Sequence, residues 1–514
     1  MLEHDLREQV CAAQAAQTPA RPLRAPHTMP SLFRFRTLAC VALLTLPACV
    51  VRLADRNSPA PNGGVTGEPA NCSANTMQVL PTGAPGGDAA PKLIGRYAFP
   101  PETPGEALFD WSGNYITVRF QGTSKITAKL LLPGPVPQDQ MFTFAVDNLP
   151  PATRQITVKK DANGNPTLEP EENYVIDNLD PGRPHEVTIY KNTEAQKGSV
   201  IFRGFDLHGG TLLPPTRRPR RIEFIGDSII CGYGNEGKNA TCPFEVKIRE
   251  VRDAQGNPVV DEKSGQPVAV TVPLTENQFL SFTSIAAREL DADAVTVCWS
   301  GKGVFKNYKE RYLVENGQFV RDGSGNRQVD PETLVTVPQL WNERTVANDE
   351  KGYKWDWAAE PATDKPQVVF ISLGTNDFSR DTKEPAADPT KLEGDNVPDG
   401  DMNDPAQREE FFRAYLALVE KVREHRGPDA HIFLATPPMV TNQFPLDNAR
   451  NNLRDVLLRI VREREGKGDT KVYQMDLVEQ GFRYGLGCDY HPNLEVHRIM
   501  ARQLVGAIRS KTCW

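Results

Sequence analysis

Cysteine is scarce in this chain, nine in 514 residues. None is spaced Cys-x-x-Cys, which argues against a structural zinc site. Excess positive charge is also missing. Lys plus Arg number 59 against 66 Asp plus Glu, for a net charge of -7, so the electrostatic footprint of a nucleic-acid binder is absent. The apolar share, 39%, is ordinary and excludes wholesale disorder. The apolar run from Leu38 to Val51 has 14 residues, too few to span a bilayer as a helix. The glycine-rich stretch at 226–237 has neither Gly-x-Gly-x-x-Gly spacing nor the Gly-Lys-Ser/Thr of a phosphate loop. Nor is it the Gly-x-Ser-x-Gly elbow of α/β-hydrolases.

What is present begins at the N-terminus. Arg34 and Arg36 precede the Leu38–Val51 run, which has the length of a signal-peptide core. The run closes on Leu46-Pro47-Ala48-Cys49. This resembles a bacterial lipoprotein processing box, in which the cysteine becomes the lipidated first residue of the mature chain. Residues 1–49 are therefore expected to be an export leader with a lipid anchor at Cys49; soluble export and a buried helix are the alternatives. Beyond residue 49 six cysteines remain, and an exported protein can oxidise them. Cys231 and Cys242 are expected to clip the loop between them, and Cys488 with Cys513 is a second possible pair. Sequence alone leaves the connectivity open.

Residues 50–90 are rich in Pro, Gly, Ala, Ser and Asn and read as a flexible linker. From 91 to 214 short alternating runs follow, such as "NYITVRFQG", "SKITAKLLL" and "HEVTIYKN", broken by turn residues. An all-β sandwich is expected there. After Arg221 the rhythm becomes strand then helix. Strands are expected at 221–226, 294–299, 367–374, 431–437 and 471–477, and helices at 277–290, 405–426, 446–466 and 494–511. Near-continuous Val, Ile and Phe in the strands suit a parallel sheet covered on both faces. Residues 218–514 are thus expected to form a three-layer α/β/α domain whose reactive groups emerge at the carboxyl ends of its strands. Polar insertions at 243–274, 309–335 and 379–403 interrupt it, read as solvated loops with the rim of a groove as the alternative.

Ser228 stands in "IEFIGDSIICGYGN" at the end of the first of these strands. A serine nucleophile needs a base in hydrogen-bond reach and donors for the oxyanion. Six histidines lie beyond the leader. His185 and His208 fall in the β domain, His425 ends a helix, His431 opens a strand and His497 lies within a helix. His491, in "GCDYHPN", sits in a loop before the last helix, with Pro492 expected to start that helix. Asp489 is placed to accept from its other ring nitrogen and hold the tautomer, although a helix-capping turn would use the same residues. Gly301 in "WSGKG" offers a backbone N–H with no Cβ in the way. Asn376 in "SLGTNDF" offers a side-chain amide. Trp299, Trp341, Trp355, Trp357 and Phe444 are candidates to stack on sugar rings, with core packing the competing use of each.

Gly226-Asp227-Ser228-Ile229, Gly301, Gly374-Thr375-Asn376-Asp377, and Asp489 with His491 together resemble the four blocks of the SGNH (GDSL-like) hydrolase superfamily, over about residues 218–514. The resemblance implies Ser228 as nucleophile, His491 as base, and an oxyanion hole made of the Ser228 and Gly301 N–H groups and the Asn376 amide. The short Asp489-Tyr490-His491 spacing, with "IEFIGDSI", "WSGKGVFKNY" and "GCDYHPN", is similar to carbohydrate esterase family 2. That family removes acetyl groups from plant polysaccharides and carries an N-terminal jelly roll. The implied protein is a monomeric acetyl esterase with no metal or cofactor, acting on acetylated polysaccharide of xylan or glucomannan type. The resemblance also implies Asp489 as a catalytic residue, in a family where the contribution of this Asp varies. A lipase or arylesterase of the superfamily, or a surface protein that only binds carbohydrate, are the alternatives.

Overall fold

The computed structural model describes residues 64–70 and 90–514, apart from 134–137, 161–165, 171–173, 251–256, 261–266, 309, 311, 316–317, 327, 349–351, 380–399, 444 and 482. The leader with Cys49, most of the linker, Phe444 and the bulk of the acidic insertion lie outside the described residues.

Two antiparallel sheets face each other between residues 92 and 213. One runs Lys92–Ile94, Tyr115–Gln121, His185–Lys191, Gln140–Val146 and Ala152–Ile156, with Thr211–Leu213 also on Tyr115–Gln121. The other runs Ala107–Phe109, Val200–Asp206, Ile126–Leu131 and Val175–Ile176. Alternate residues turn inward, as the two-residue strand period requires. Ile126, Ala128 and Leu130 from one sheet meet Val118, Phe144 and Val187 from the other in a single core. The alternating runs in the sequence mark the five longest of these strands to within two residues at each end, and the shorter ones, such as Lys92–Ile94 and Ala107–Phe109, carry no such run.

The second sheet has five parallel strands: β1 (Arg220–Gly226), β2 (Ala292–Cys298), β3 (Val368–Ser372), β4 (His431–Thr436) and β5 (Val472–Asp476), in the order β2-β1-β3-β4-β5. All five residues of β3 are buried, because helices cover both faces. One turn of helix, α1 (Ser228–Cys231), follows β1. Then come α2 (Phe282–Glu289), α3 (Val337–Glu343), α4 (Pro405–Arg426), α5 (Ala449–Gly466) and α6 (Leu494–Thr512). α4 starts where its sequence says it should. The Asp404 carboxylate accepts the Ala406 N–H at 2.8 Å, Pro405 fills the first helical position, and Phe411, Tyr415, Leu418 and Val422 are buried along one face. α6 starts at Leu494, the first residue of its expected range, but Pro492 does not open it: Asn493 is the cap, accepting from the Glu495 and Val496 N–H groups.

Residues 64–70 differ from the flexible linker that their composition suggests. The Thr66 N–H donates to the Gln474 carbonyl of β5, the edge strand, and the Lys511 ammonium donates to the Glu68 carbonyl at 2.7 Å. An edge strand presents unpaired backbone groups, and this segment covers some of them.

The strand order reverses at β1, since β2 lies on one side of it and β3 on the other. Loops leaving the carboxyl ends of β1, β2 and β3 therefore converge on one crevice, where ligands bind in sheets of this kind.

Candidate active site

Gly226 ends β1 beside β3, where a Cβ would come within 2.6 Å of the Ser372 carbonyl oxygen. Only glycine lets the two strands stay that close while the chain turns. Asp227 then caps α1, its carboxylate accepting the Ile229 N–H at 3.1 Å. Ser228 is thus the first residue of a helical turn and is buried. Its backbone N–H has no intrahelical partner and, among the described residues, no other.

His491 arrives from the far side of the sheet. Its Nε2 lies 2.9 Å from Ser228 Oγ. Its Nδ1 lies 2.7 Å from the backbone carbonyl oxygen of Asp489. A carbonyl only accepts, so Nδ1 carries the proton and Nε2 presents its lone pair to the Ser228 hydroxyl. Burial lowers the His491 pKa, with Asp489 opposing that shift. The imidazole is therefore neutral at neutral pH, the state a base requires.

The Asp489 carboxylate does not meet His491 and instead accepts from the Tyr233 hydroxyl at 3.2 Å. The expectation that it would hold the imidazole through its side chain is corrected here: the main chain does so. Asp489 and Tyr490 both have left-handed backbones, φ 50° and 57°, and this tight turn aims the carbonyl at the ring. Tyr233 lies against the His491 ring, centroids 4.3 Å apart, and stacks on Phe244 from the first polar insertion.

Gly301 follows β2 with φ 78°, a conformation in which a side chain would be strained. Its N–H has no hydrogen-bond partner among the described residues. Asn376 follows β3, its amide donating to the Lys302 carbonyl at 3.0 Å, which ties it to the Gly301 loop and leaves one N–H of the amide to spare. Asp377 fastens the same loop, its carboxylate accepting from the N–H groups of Val304, Phe305 and Lys306 at 2.8, 2.9 and 3.2 Å. Burial pushes the carboxyls of Asp227 and Asp377 up to about 7. Both organise backbone and neither touches Ser228 Oγ through a hydrogen bond.

Two disulfides staple these loops, and neither is the Cys231–Cys242 pair expected from short spacing. Cys231, the last residue of α1, joins Cys298 at the end of β2, and Cys242 joins Cys488 next to Asp489. The parallel register explains the first: Gly226 pairs with Cys298, and the single turn of α1 brings Cys231 back over it. Cys488 is therefore not paired with Cys513.

Sequence reasoning missed Tyr233, which lies only five residues beyond Ser228 but reads as a loop aromatic. The tryptophans divide otherwise than a sugar platform would require. Trp341 is fully buried with its Nε1–H donated to Glu223, and Trp357 stacks on His425. Trp355 lies beside Arg96. Trp299 alone leaves the carboxyl end of a strand, beside Ser300. His497 is buried, Nδ1 accepting the Phe282 N–H at 3.0 Å, in keeping with a packing role.

Comparison with known proteins agrees with this layout. Residues 93–215 match the model described as "Carbohydrate esterase 2 N-terminal", and residues 325–499 match "GDSL-like Lipase/Acylhydrolase family". The cellulase/esterase CelE of Acetivibrio thermocellus is 30% identical over 424 residues, 82% of this chain. The chain spans only 39% of the length of that relative. An acetylxylan esterase / glucomannan deacetylase of Cellvibrio japonicus is 25% identical over 80% of this chain and 88% of its own. Among solved structures, a family two carbohydrate esterase from Clostridium thermocellum, in complex with cellohexaose, superposes with a TM-score of 0.56. It shares 27% identity and covers 82% of this chain and 98% of that one. The chain thus carries a segment similar to the carbohydrate esterase 2 N-terminal domain followed by one similar to the GDSL-like lipases and acylhydrolases, the order found in the family two carbohydrate esterases it resembles.

Proposed function

We propose that the protein is a serine esterase that removes O-acetyl groups from polysaccharide. The observation that carries this reading is the 2.9 Å contact between Ser228 Oγ and His491 Nε2, with the other ring nitrogen committed to a carbonyl. His491 takes the Ser228 proton as Oγ attacks the acetyl carbonyl. The tetrahedral oxyanion is met by the Ser228 and Gly301 N–H groups and the spare N–H of Asn376. His491 then gives its proton to the departing sugar oxygen. Water attacks the acetyl-enzyme by the same steps in reverse, releasing acetate.

The substrate class is supported by the relatives, one bearing an acetylxylan esterase and glucomannan deacetylase name and another solved with cellohexaose. We read the protein as exported, anchored through Cys49 and monomeric. The Cys231–Cys298 and Cys242–Cys488 disulfides support the first of these, because such bonds persist in oxidising compartments.

Acetate release from acetylated xylan, glucomannan and peptidoglycan tests the reading, with wild type and Ser228→Ala side by side. Wild type is expected to release acetate from xylan or glucomannan, and Ser228→Ala to lose that activity. On p-nitrophenyl esters acetate is expected to outrun octanoate; the reverse preference identifies a lipase instead.

A further inference from the structure

The β-sandwich reaches the loop after β2 through Glu194 and Gln196. Glu194 follows the strand His185–Lys191. Its Oε2 accepts the backbone N–H of Ser300 at 2.7 Å, and its Oε1 accepts the Ser300 hydroxyl. Nearby, the Gln196 amide donates to the Ser300 carbonyl at 3.4 Å. That carbonyl and the Gly301 N–H belong to one planar peptide group. Whatever holds Ser300 on these three atoms therefore sets the direction in which the Gly301 N–H points.

The grip is built into the interior. Glu194, Glu276 and Lys191 are all buried. Glu276 accepts the Glu194 N–H at 3.3 Å. The Lys191 ammonium donates to the carbonyls of Thr193 and Glu194 at 2.6 and 3.2 Å. Burying charge without partners costs several kcal/mol, and the acetyl-transfer steps use none of these groups, so the cluster asks for another role. Burial, reinforced by Glu194, holds Glu276 well above the usual carboxylate range, and burial raises Glu194 as well. The two Ser300 donors meet the Glu194 carboxylate directly, and the Lys191 ammonium lies beside it, so the cluster's polar groups partner one another.

The platform under Glu194 is firmly attached. The Trp111 indole N–H donates to the Thr345 carbonyl at 2.9 Å. The Asp110 carboxylate accepts the Ala347 and Asn348 N–H groups at 2.9 and 2.7 Å, and the Asn348 amide donates to the Ala195 carbonyl.

We propose that Glu194 is a positioning residue for the oxyanion hole, holding Ser300 so that the Gly301 N–H faces the acetyl carbonyl oxygen. The β-sandwich is on this view half of the catalytic site and not a detachable binding module. The proposal rests on the esterase reading above.

The test is Glu194→Gln in the full chain, which keeps the size of the side chain but can accept through only one atom. On p-nitrophenyl acetate, kcat is expected to fall roughly ten- to a hundredfold with KM within about twofold, because a loosened oxyanion donor is felt in the transition state. The inhibition constant of phenylboronic acid, which forms a tetrahedral adduct on the serine, should rise in step with the loss of kcat. Melting temperature separates this from unfolding. If Glu194→Gln does not fold, Ser300→Ala, which removes one of the two donors, is read in the same way and should show a smaller fall. A folded variant with wild-type kcat, a change confined to KM, or an unmoved boronic-acid constant overturns the positioning role. Wild type without Ser228-dependent acetate release overturns the esterase reading and this proposal with it.

Discussion

The imidazole of His491 is held by the main chain of Asp489 and not by its carboxylate: Nδ1 lies 2.7 Å from the carbonyl oxygen, while the carboxylate accepts from Tyr233. A carbonyl fixes the tautomer as a carboxylate would, and the Asp489 charge reaches the imidazole only through space, without a hydrogen bond. The side chain of Asp489 should therefore be nearly dispensable. Asp489→Asn, which tolerates the left-handed backbone at that position, is expected to keep kcat within about threefold of wild type. The same change where a carboxylate sets the tautomer costs about 10⁴. Steady-state rates on p-nitrophenyl acetate decide it, and a loss of a hundredfold or more would return the carboxylate to the catalytic machinery.

The pH profile follows from burial of that ring. His491 must be neutral to accept the serine proton, and burial holds its pKa below the usual histidine value of 6.5. Activity should persist below pH 6.5 and fall only as pH drops through the lowered value. Stability moves in the same direction. The unfolded chain protonates this histidine near 6.5 while the folded one does not, so the contribution is fully present above 6.5. It is lost as pH falls toward the folded value. A kcat/KM profile with its acid limb centred above 6.5 would contradict a base that the fold keeps neutral.

Asn376 offers a cleaner reading of the oxyanion hole than Gly301, where any side chain also strains the backbone. Asn376→Ala removes one donor and the tie to the Lys302 carbonyl. A drop in kcat of about 10²–10³ with little change in KM is expected. Should KM rise while kcat holds, Asn376 binds substrate in the ground state and the hole must be built from other donors.

The local signals in the sequence led to the right elements where one periodicity dominates. β3 is apolar throughout because both its faces are covered, and α4 announces its start with Asp404-Pro405. The meeting of Ser228 with His491 at 2.9 Å was legible because each follows a strand, and strand ends in a parallel sheet share an edge; Gly301 and Asn376 were picked out on the same ground. What was not legible depends on contacts between distant segments. The disulfide partners are brought together by the tertiary fold from 67 and 246 residues apart, where spacing favoured 231 with 242. Which atom of Asp489 meets the imidazole depends on two left-handed residues, and no side-chain pattern encodes that. Glu194 sits in the other domain, in a stretch that reads as an ordinary turn.

The disulfides give the last prediction. Non-reducing peptide mapping of protein made in an oxidising compartment should recover Cys231 linked to Cys298 and Cys242 linked to Cys488. A Cys231–Cys242 peptide would overturn the arrangement. Each bond should contribute about 2–5 kcal/mol to stability, read from urea unfolding of the paired Cys→Ala variants. Their effects on rate should differ. Cys488 adjoins the strained turn at Asp489 and Tyr490, and its N–H donates to the Gly234 carbonyl at 3.0 Å. Removing Cys242–Cys488 therefore frees the turn that aims a carbonyl at His491, and kcat should fall even well below the melting temperature. Removing Cys231–Cys298 leaves Gly226 paired with Cys298's position in the sheet, and Glu194 still grips Ser300. Stability should then fall with kcat largely kept. Equal losses of kcat in the two variants would mean that neither disulfide acts on the geometry of the site specifically.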